Sequence, residues 1–174
     1  MARCPDCNKF VSLDSEQDPE VSIDVDEEGH VTGSVQIANA CEQCGTEMYT
    51  AEFDVNVSTS DITRSEDDKT LETFLSECKA TKEQAEKDAA QRSLDFPNLS
   101  EAEAGSPEDL DVELEVEESD MERTSRSEGK GRGTRTFYGA RVGFTVKATF
   151  RGATHEFEGS FEDDIQASSM DQQY

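Results

Sequence analysis

Five cysteines occur in 174 residues, and four of them form two identical pairs: Cys4 and Cys7 in CPDC, then Cys41 and Cys44 in CEQC, with 33 residues between the pairs. Two residues between thiolates let both sulfurs face one ion, and two such turns supply the four ligands of a closed tetrahedral zinc site. Asn8 follows the first pair and Gly45 the second; both residue types tolerate the positive φ that turns backbone amides toward sulfur. The spacing therefore predicts one Zn2+ held by Cys4, Cys7, Cys41 and Cys44. Two disulfides or redox-active Cys-x-x-Cys pairs are the alternative use of the same residues, and iron takes the same four-thiolate geometry. Cys78 stands apart in FLSECKATKEQ, with Leu71, Phe74 and Leu75 at helical spacing before it, and reads as a core thiol. The only histidines, His30 and His155, are remote from it in sequence. No phosphate-binding glycine loop, HExxH or GxSxG element is present, so the expectation is a protein that is not an enzyme.

The elements that must position the cysteines follow from alternation. In EVSIDVDEEGHVTGSVQI, Val21, Ile23 and Val25 alternate with polar residues, Glu28-Gly29 marks a turn, and Val31, Val35 and Ile37 resume the pattern. Met48, Phe53, Val55 and Val57 then predict a strand leaving the second pair. Knuckle, hairpin, knuckle and strand together resemble the zinc-ribbon class over residues 1–58. Many ribbons bind nucleic acid through basic faces, whereas residues 1–58 here hold two basic and 13 acidic residues, a net of −11, which argues against that role.

The second half repeats the pattern without the ligands. Val112, Leu114 and Val116 match Val21, Ile23 and Val25 at an offset of 91, and Val142, Phe144 and Gly152 match Val35, Ile37 and Gly45 at 107. The difference assigns 16 extra residues to the hairpin loop, and Cys41 and Cys44 correspond to Ala148 and Arg151. After one further insertion, Phe157 and Phe161 fall opposite Tyr49 and Phe53. Phe137, Tyr138, Phe144, Phe150, Phe157 and Phe161 are the expected core of this metal-free lobe; chance similarity of two alternating acidic hairpins is the alternative. Between the halves, Ser65 with Glu66, Asp67 and Asp68 predicts a helix start and a helix over 66–92 with a narrow apolar face, and FPNLSEAEAGSPEDL reads as a linker. The expected fold is mainly β: a zinc-ribbon-like hairpin lobe (1–58), a helix and acidic linker (59–109), and a degenerate β lobe of the same plan (110–174).

Composition limits the function. Leu, Ile, Val and Phe make up 31 of 174 residues, under the roughly 20% expected of an ordinary globular chain. Against 41 acidic residues stand 16 basic ones, and the net charge of −25 opposes any broad embrace of nucleic acid. No run approaches a membrane span, and MARCPDCNKF lacks the pattern of a signal peptide, so a soluble cytoplasmic protein with no membrane partner is expected. The acidic runs at 24–28 and 113–118 alternate with apolar residues or crowd a turn, as solvated strand faces do. One tract is basic: RTSRSEGKGRGTRTFYGAR carries Arg123, Arg126, Lys130, Arg132, Arg135 and Arg141 against Glu128 alone. With Tyr138 it predicts a flexible Gly/Arg loop that binds phosphate, RNA or an acidic partner; neutralisation of the chain's own carboxylates is the competing use.

With its opening CPDCNKFVSL, acidic tandem hairpins and ending ASSMDQQY, the chain is similar to small uncharacterised double-CxxC proteins of bacteriophages and viral metagenomes, over most of its length except 59–109. That resemblance implies no activity and would place the protein in a host cytoplasm. The reading that follows is a zinc-stabilised acidic binding or scaffold module with a protein partner. Nucleic-acid binding through 123–141, an acidic DNA mimic, and adaptation to high salt are the other readings of the same charge.

Overall fold

The computed structural model describes residues 2–11, 18–26, 28–104, 108–129 and 135–167. Two short strands, β1 (Ala2–Arg3) and β2 (Phe10–Val11), pair across the first cysteine pair. Strands β3 (Glu20–Val25), β4 (Val31–Ala40) and β5 (Glu47–Val57) form an antiparallel sheet with β4 central. Val21 lies opposite Val35, and Val35 opposite Phe53, so the alternating apolar residues collect on one face. After the helix α1 (Leu71–Asp95) and a single turn α2 (Glu101–Ala104) comes a second antiparallel sheet. Its central strand is β8 (Arg135–Phe150), with β9 (Ala153–Ala167) on one side. Along the other side lie β6 (Leu110–Glu115) and then β7 (Met121–Glu128), separated by a 3-10 turn at Glu118–Asp120. Both sheets thus have three lanes with the middle strand central, as the repeat predicts, and the main helix lies between them in sequence.

The repeat holds as a plan but not residue by residue. At the offset of 107, Val142 and Phe144 are buried like Val35 and Ile37, and Gly152 shares with Gly45 a positive φ (74° and 72°). The offset of 91 fails: Val112 pairs with Ala148 and Leu114 with Val146, and the strand beside Ala140 and Val142 is β7. Residues 130–134 lie outside the described residues, and the described residues of the basic tract make strand rather than loop. They lengthen β7 and β8, which pair from Met121↔Val142 to Glu128↔Arg135, because Thr124, Thr136, Phe137 and Tyr138 are good strand formers whose partners stand on the neighbouring strand.

The sparse apolar residues are pooled into one core shared by both sheets and the helix. Val35, Ile37 and Phe53 contribute from the first sheet and Val142, Phe144, Val146 and Phe157 from the second; Ile62 and the helical Leu71, Phe74 and Leu75 complete it. Tyr49 stacks on Tyr138 with ring centroids 4.8 Å apart, joining the two sheets directly. The Phe144 ring lies over Gly159, where a Cβ would stand 2.6 Å from the ring. Of the six aromatics expected inside the second lobe, Tyr138, Phe144 and Phe157 are buried and Phe150 and Phe161 are half-buried. Phe137 instead faces outward against Arg126.

The helix starts at Leu71 rather than 66. Its cap is Thr70, whose hydroxyl accepts the Thr73 N–H at 3.2 Å, while Asp68 takes a left-handed φ of 53° that ends any earlier helical turn. Leu71, Phe74, Leu75 and Cys78 are its buried residues; the rest of the helix runs along the surface, with Leu94 and Phe96 exposed. The stretch expected as a linker contains α2, whose Ser100 N–H and hydroxyl both donate to Glu103, the S-x-x-E box of a helix start. Among the described residues no helix is long and apolar enough to cross a membrane.

Candidate metal centre

The two cysteine pairs fold into the same turn. Asn8 N–H donates to Cys4 O at 3.0 Å and Cys4 N–H to Lys9 O at 2.9 Å; Gly45 N–H donates to Cys41 O at 2.7 Å and Cys41 N–H to Thr46 O at 2.8 Å. The fifth residue of each is left-handed, Asn8 at φ 61° and Gly45 at 72°, as the sequence predicts. Each turn is carried on a ladder, β1–β2 for the first and β4–β5 for the second. Side chains tie them together: Lys9 Nζ donates to Gln43 Oε1 at 3.1 Å, and the Thr46 hydroxyl to Asp6 Oδ2 at 2.7 Å.

The four sulfurs lie within 4.8 Å of one another, with Cys4 Sγ to Cys44 Sγ and Cys7 Sγ to Cys41 Sγ both 3.6 Å. A tetrahedron with metal–sulfur bonds of about 2.3 Å has edges of about 3.8 Å, so the donor set fits a single tetrahedral ion. The cysteines are free thiols and form no disulfide. Cys4 and Cys41, the first of each pair, are buried against Met48, while Cys44 is exposed. The thiols differ as acids. The Thr46 side chain, 3.3 Å from the sulfur, and then the Thr46 amide, which donates to it, bring Cys44 down to about 6. At Cys7 the Lys9 amide acts in the same direction but is outweighed by burial and the three neighbouring sulfurs, which leave it at about 11. A crowd of thiols with one ready to ionise is suited to exchanging protons for a cation.

A third turn of the same build occurs where no cysteine marks it. Asp68 N–H donates to Arg64 O at 3.0 Å, and Arg64 N–H to Lys69 O at 2.9 Å, with Asp68 left-handed. Arg64 and Asp67 occupy the two ligand positions and form an ion pair with each other. Arg64 Nη1 also lies 2.8 Å from His155 Nδ1. The sequence signal was Asp68, a residue type that accepts positive φ four positions after Arg64. At the corresponding end of the second sheet, Arg151 (φ 54°) and Gly152 make a two-residue turn between Phe150 and Ala153, and Ala148 is fully buried. Cys78 is distant from the cluster, 4% exposed, and its thiol is pushed up by burial and then by Glu77.

Among the described residues, the basic side chains of the tract do not converge. Arg126 contacts Asp164 at 2.5 Å and Glu128 at 3.3 Å, and stacks on Phe137 at 4.8 Å. Arg141 contacts Glu162 at 2.8 Å and Glu122 at 3.7 Å. Arg123 stands in register with buried Ala140, on the inner side of the sheet, and Arg135 lies in β8 opposite Glu128. Tyr138 is 2% exposed and is taken up by core packing. Lys130 and Arg132 lie outside the described residues.

No protein-family model, no curated protein and no solved structure matches this chain.

Proposed function

We propose that the protein is a zinc-stapled acidic module that works by binding, offering its carboxylate-rich faces to a basic protein partner. The observation that carries the metal half is the set of four sulfurs at tetrahedral spacing, with 3.6 Å contacts between the two turns. Zinc is favoured by an all-thiolate, closed set without an open coordination position, and such thiols fit a reducing compartment. Cys4, Cys7, Cys41 and Cys44 would hold the ion, which supplies rigidity rather than reactivity.

The binding half is supported by charge placement. On the outer face of the first sheet Glu20, Glu52, Asp24 and Asp54 flank a central lane of Thr32, Ser34 and Gln36, so these acids meet no cation within that lane. Such a face favours a cationic partner at low ionic strength. The arginines that suggest nucleic-acid contact are instead neighbours of Asp164, Glu128, Glu122 and Glu162.

Metal analysis of the purified protein tests the first half: one zinc per chain is expected, and none, or iron, overturns it. Titration with polylysine across a salt series tests the second. Saturable binding that weakens steeply with salt is expected, and no binding at low salt overturns it.

A further inference from the structure

The two sheets leave their shared core open along one side. There, among the described residues, β3 is bonded only to β4 and β6 only to β8, and the two lie beside each other as the edges of their respective sheets. Between them is a cleft of about 470 Å³ lined by Pro19, Val21, Ile23, Leu114, Val116 and Met121, with Glu118 at its margin. Each of these apolar side chains is only half-buried, whereas the same alternation in the central strands buries Val31, Val35, Ile37, Val142, Phe144 and Val146. Carboxylates rim the cleft: Glu20 and Asp24 alternate with Val21 and Ile23 on one edge, and Glu113 and Glu117 alternate with Leu114 and Val116 on the other, all exposed.

We infer that this side accepts an extended segment of another protein in which apolar and basic residues alternate, added as a further strand along β3. Three features select that occupant. An edge strand offers backbone donors and acceptors that an extended peptide satisfies, here apart from Val25 N–H, which donates to Asp24 Oδ1 at 2.8 Å. The period of two sends every second side chain into the apolar cleft. The remaining side chains then meet the carboxylate rim, which rewards lysine or arginine. A second copy of this chain is the wrong occupant, because pairing two β3 edges would set Glu20 and Asp24 against their own kind in molecules of charge −25. The six residues of β3 span about 20 Å, enough for three inward side chains. This inference rests on the binding reading above and gives it a place and a partner chemistry.

The test compares a peptide of four Val-Lys repeats with one of the same composition in blocks, four valines then four lysines, and with the repeat peptide N-methylated at alternate amides. Affinity is read by fluorescence anisotropy and location by amide exchange on the zinc-loaded protein. The repeat peptide should bind about tenfold more tightly than either control and slow exchange in β3. Ile23→Lys should abolish that advantage and Met121→Lys should weaken it, with metal content and circular dichroism confirming that each variant is folded; Asp88→Lys, on the exposed side of α1, should leave it intact. Equal affinity for the three peptides, with Asp88→Lys as damaging as Ile23→Lys, would overturn the cleft while sparing the general acidic reading. Failure of polylysine as well as every peptide would remove both. Concentration-dependent dimerisation through β3, or protection of β3 in the free protein that vanishes when residues 12–17 are replaced by a Gly/Ser sequence, would assign the cleft to a second copy or to this chain itself and overturn the inference.

Discussion

The two sheets share a plan and a core, yet they fasten themselves in different ways. In the first, the outer lane of β4 is uncharged, and the end of the β4–β5 hairpin is held by Cys41 and Cys44 against Cys4 and Cys7. In the second, the outer lane of β8 carries Lys147 between Glu113 and Glu156, and Arg141 between Glu122 and Glu162, while the hairpin end needs only Arg151 and Gly152. One sheet has a coordination site and no central cations; the other has cations and no coordination site. A wide four-residue knuckle leaves backbone and side chains that must be held from outside, whereas a two-residue turn closes itself. In the second sheet Lys147 and Arg141 stand in the central lane beside acids on both sides, whereas the acids flanking the central lane of the first sheet meet no cation in it.

The largest effect that would break this contrast concerns the metal. The sulfur cluster packs with Met48 as a small group separate from the shared core. Chelation, or Cys41→Ser, should release the metal and expose amides in 2–11 and 41–48 to exchange. Structural zinc in small peptides contributes about 10–16 kcal/mol of apparent binding free energy, so the local loss should be complete. Val142, Val146 and Phe157 should keep their protection. Simultaneous exchange of both sheets would show that the staple supports the whole molecule.

Next in size is Phe157→Ala. Phe157 is fully buried, tilted against Phe74 with centroids 5.3 Å apart, and such a truncation costs about 3–5 kcal/mol. Because the core is common property, one cooperative unfolding transition should move to lower denaturant for reporters in either sheet. Two separated transitions would mean that the sheets are independent.

The metal turns were legible because Cys-x-x-Cys followed by Asn or Gly states both the ligands and the backbone conformation. Strand alternation in the first sheet was equally plain. The register of the second sheet was not: a period of two says which side chains share a face but leaves the slide along the neighbour open, so Val112 was matched to the wrong part of β8. The basic tract read as a loop because its glycines and arginines suggest flexibility, and only the pairing reveals that Asp164 and Glu162 stand beside Arg126 and Arg141. Ser65 followed by three acids imitates a helix cap, while the true cap, Thr70, sits two residues after the left-handed Asp68. That both apolar faces meet each other is a tertiary fact with no local signal.

Smaller effects sharpen the contrast at the hairpin ends. Gly152→Ala places an L side chain at a φ of 74°, costing about 1–2 kcal/mol, and Gly45→Ala meets the same backbone penalty at 72°. In the zinc-loaded protein the knuckle is pinned by its sulfurs, so Gly45→Ala should also lower metal affinity, while Gly152→Ala should lower only thermal stability. A fall in metal affinity with Gly152→Ala would show that the two ends communicate.

The smallest expected change is at Lys147, whose ammonium is held above the ordinary lysine range by its hydrogen bond to Glu115, with Glu156 and Glu113 adding to it. A folded-state pKa above the unfolded value of about 10.4 means that the contribution is fully present below that pH and is lost as pH rises through the folded value. Lys147→Gln should therefore lower the melting temperature slightly at neutral pH and flatten the alkaline fall in stability. It should leave metal content alone, and its effect should vanish in about 1 M salt, where the screening length is about 3 Å. The corresponding first-sheet change, Gln36→Lys, creates between Glu20 and Glu52 the cation that lane lacks. It should stabilise the sheet at low salt while weakening polylysine binding. If it stabilises without touching that binding, the uncompensated acids of the first sheet are not the surface the partner uses.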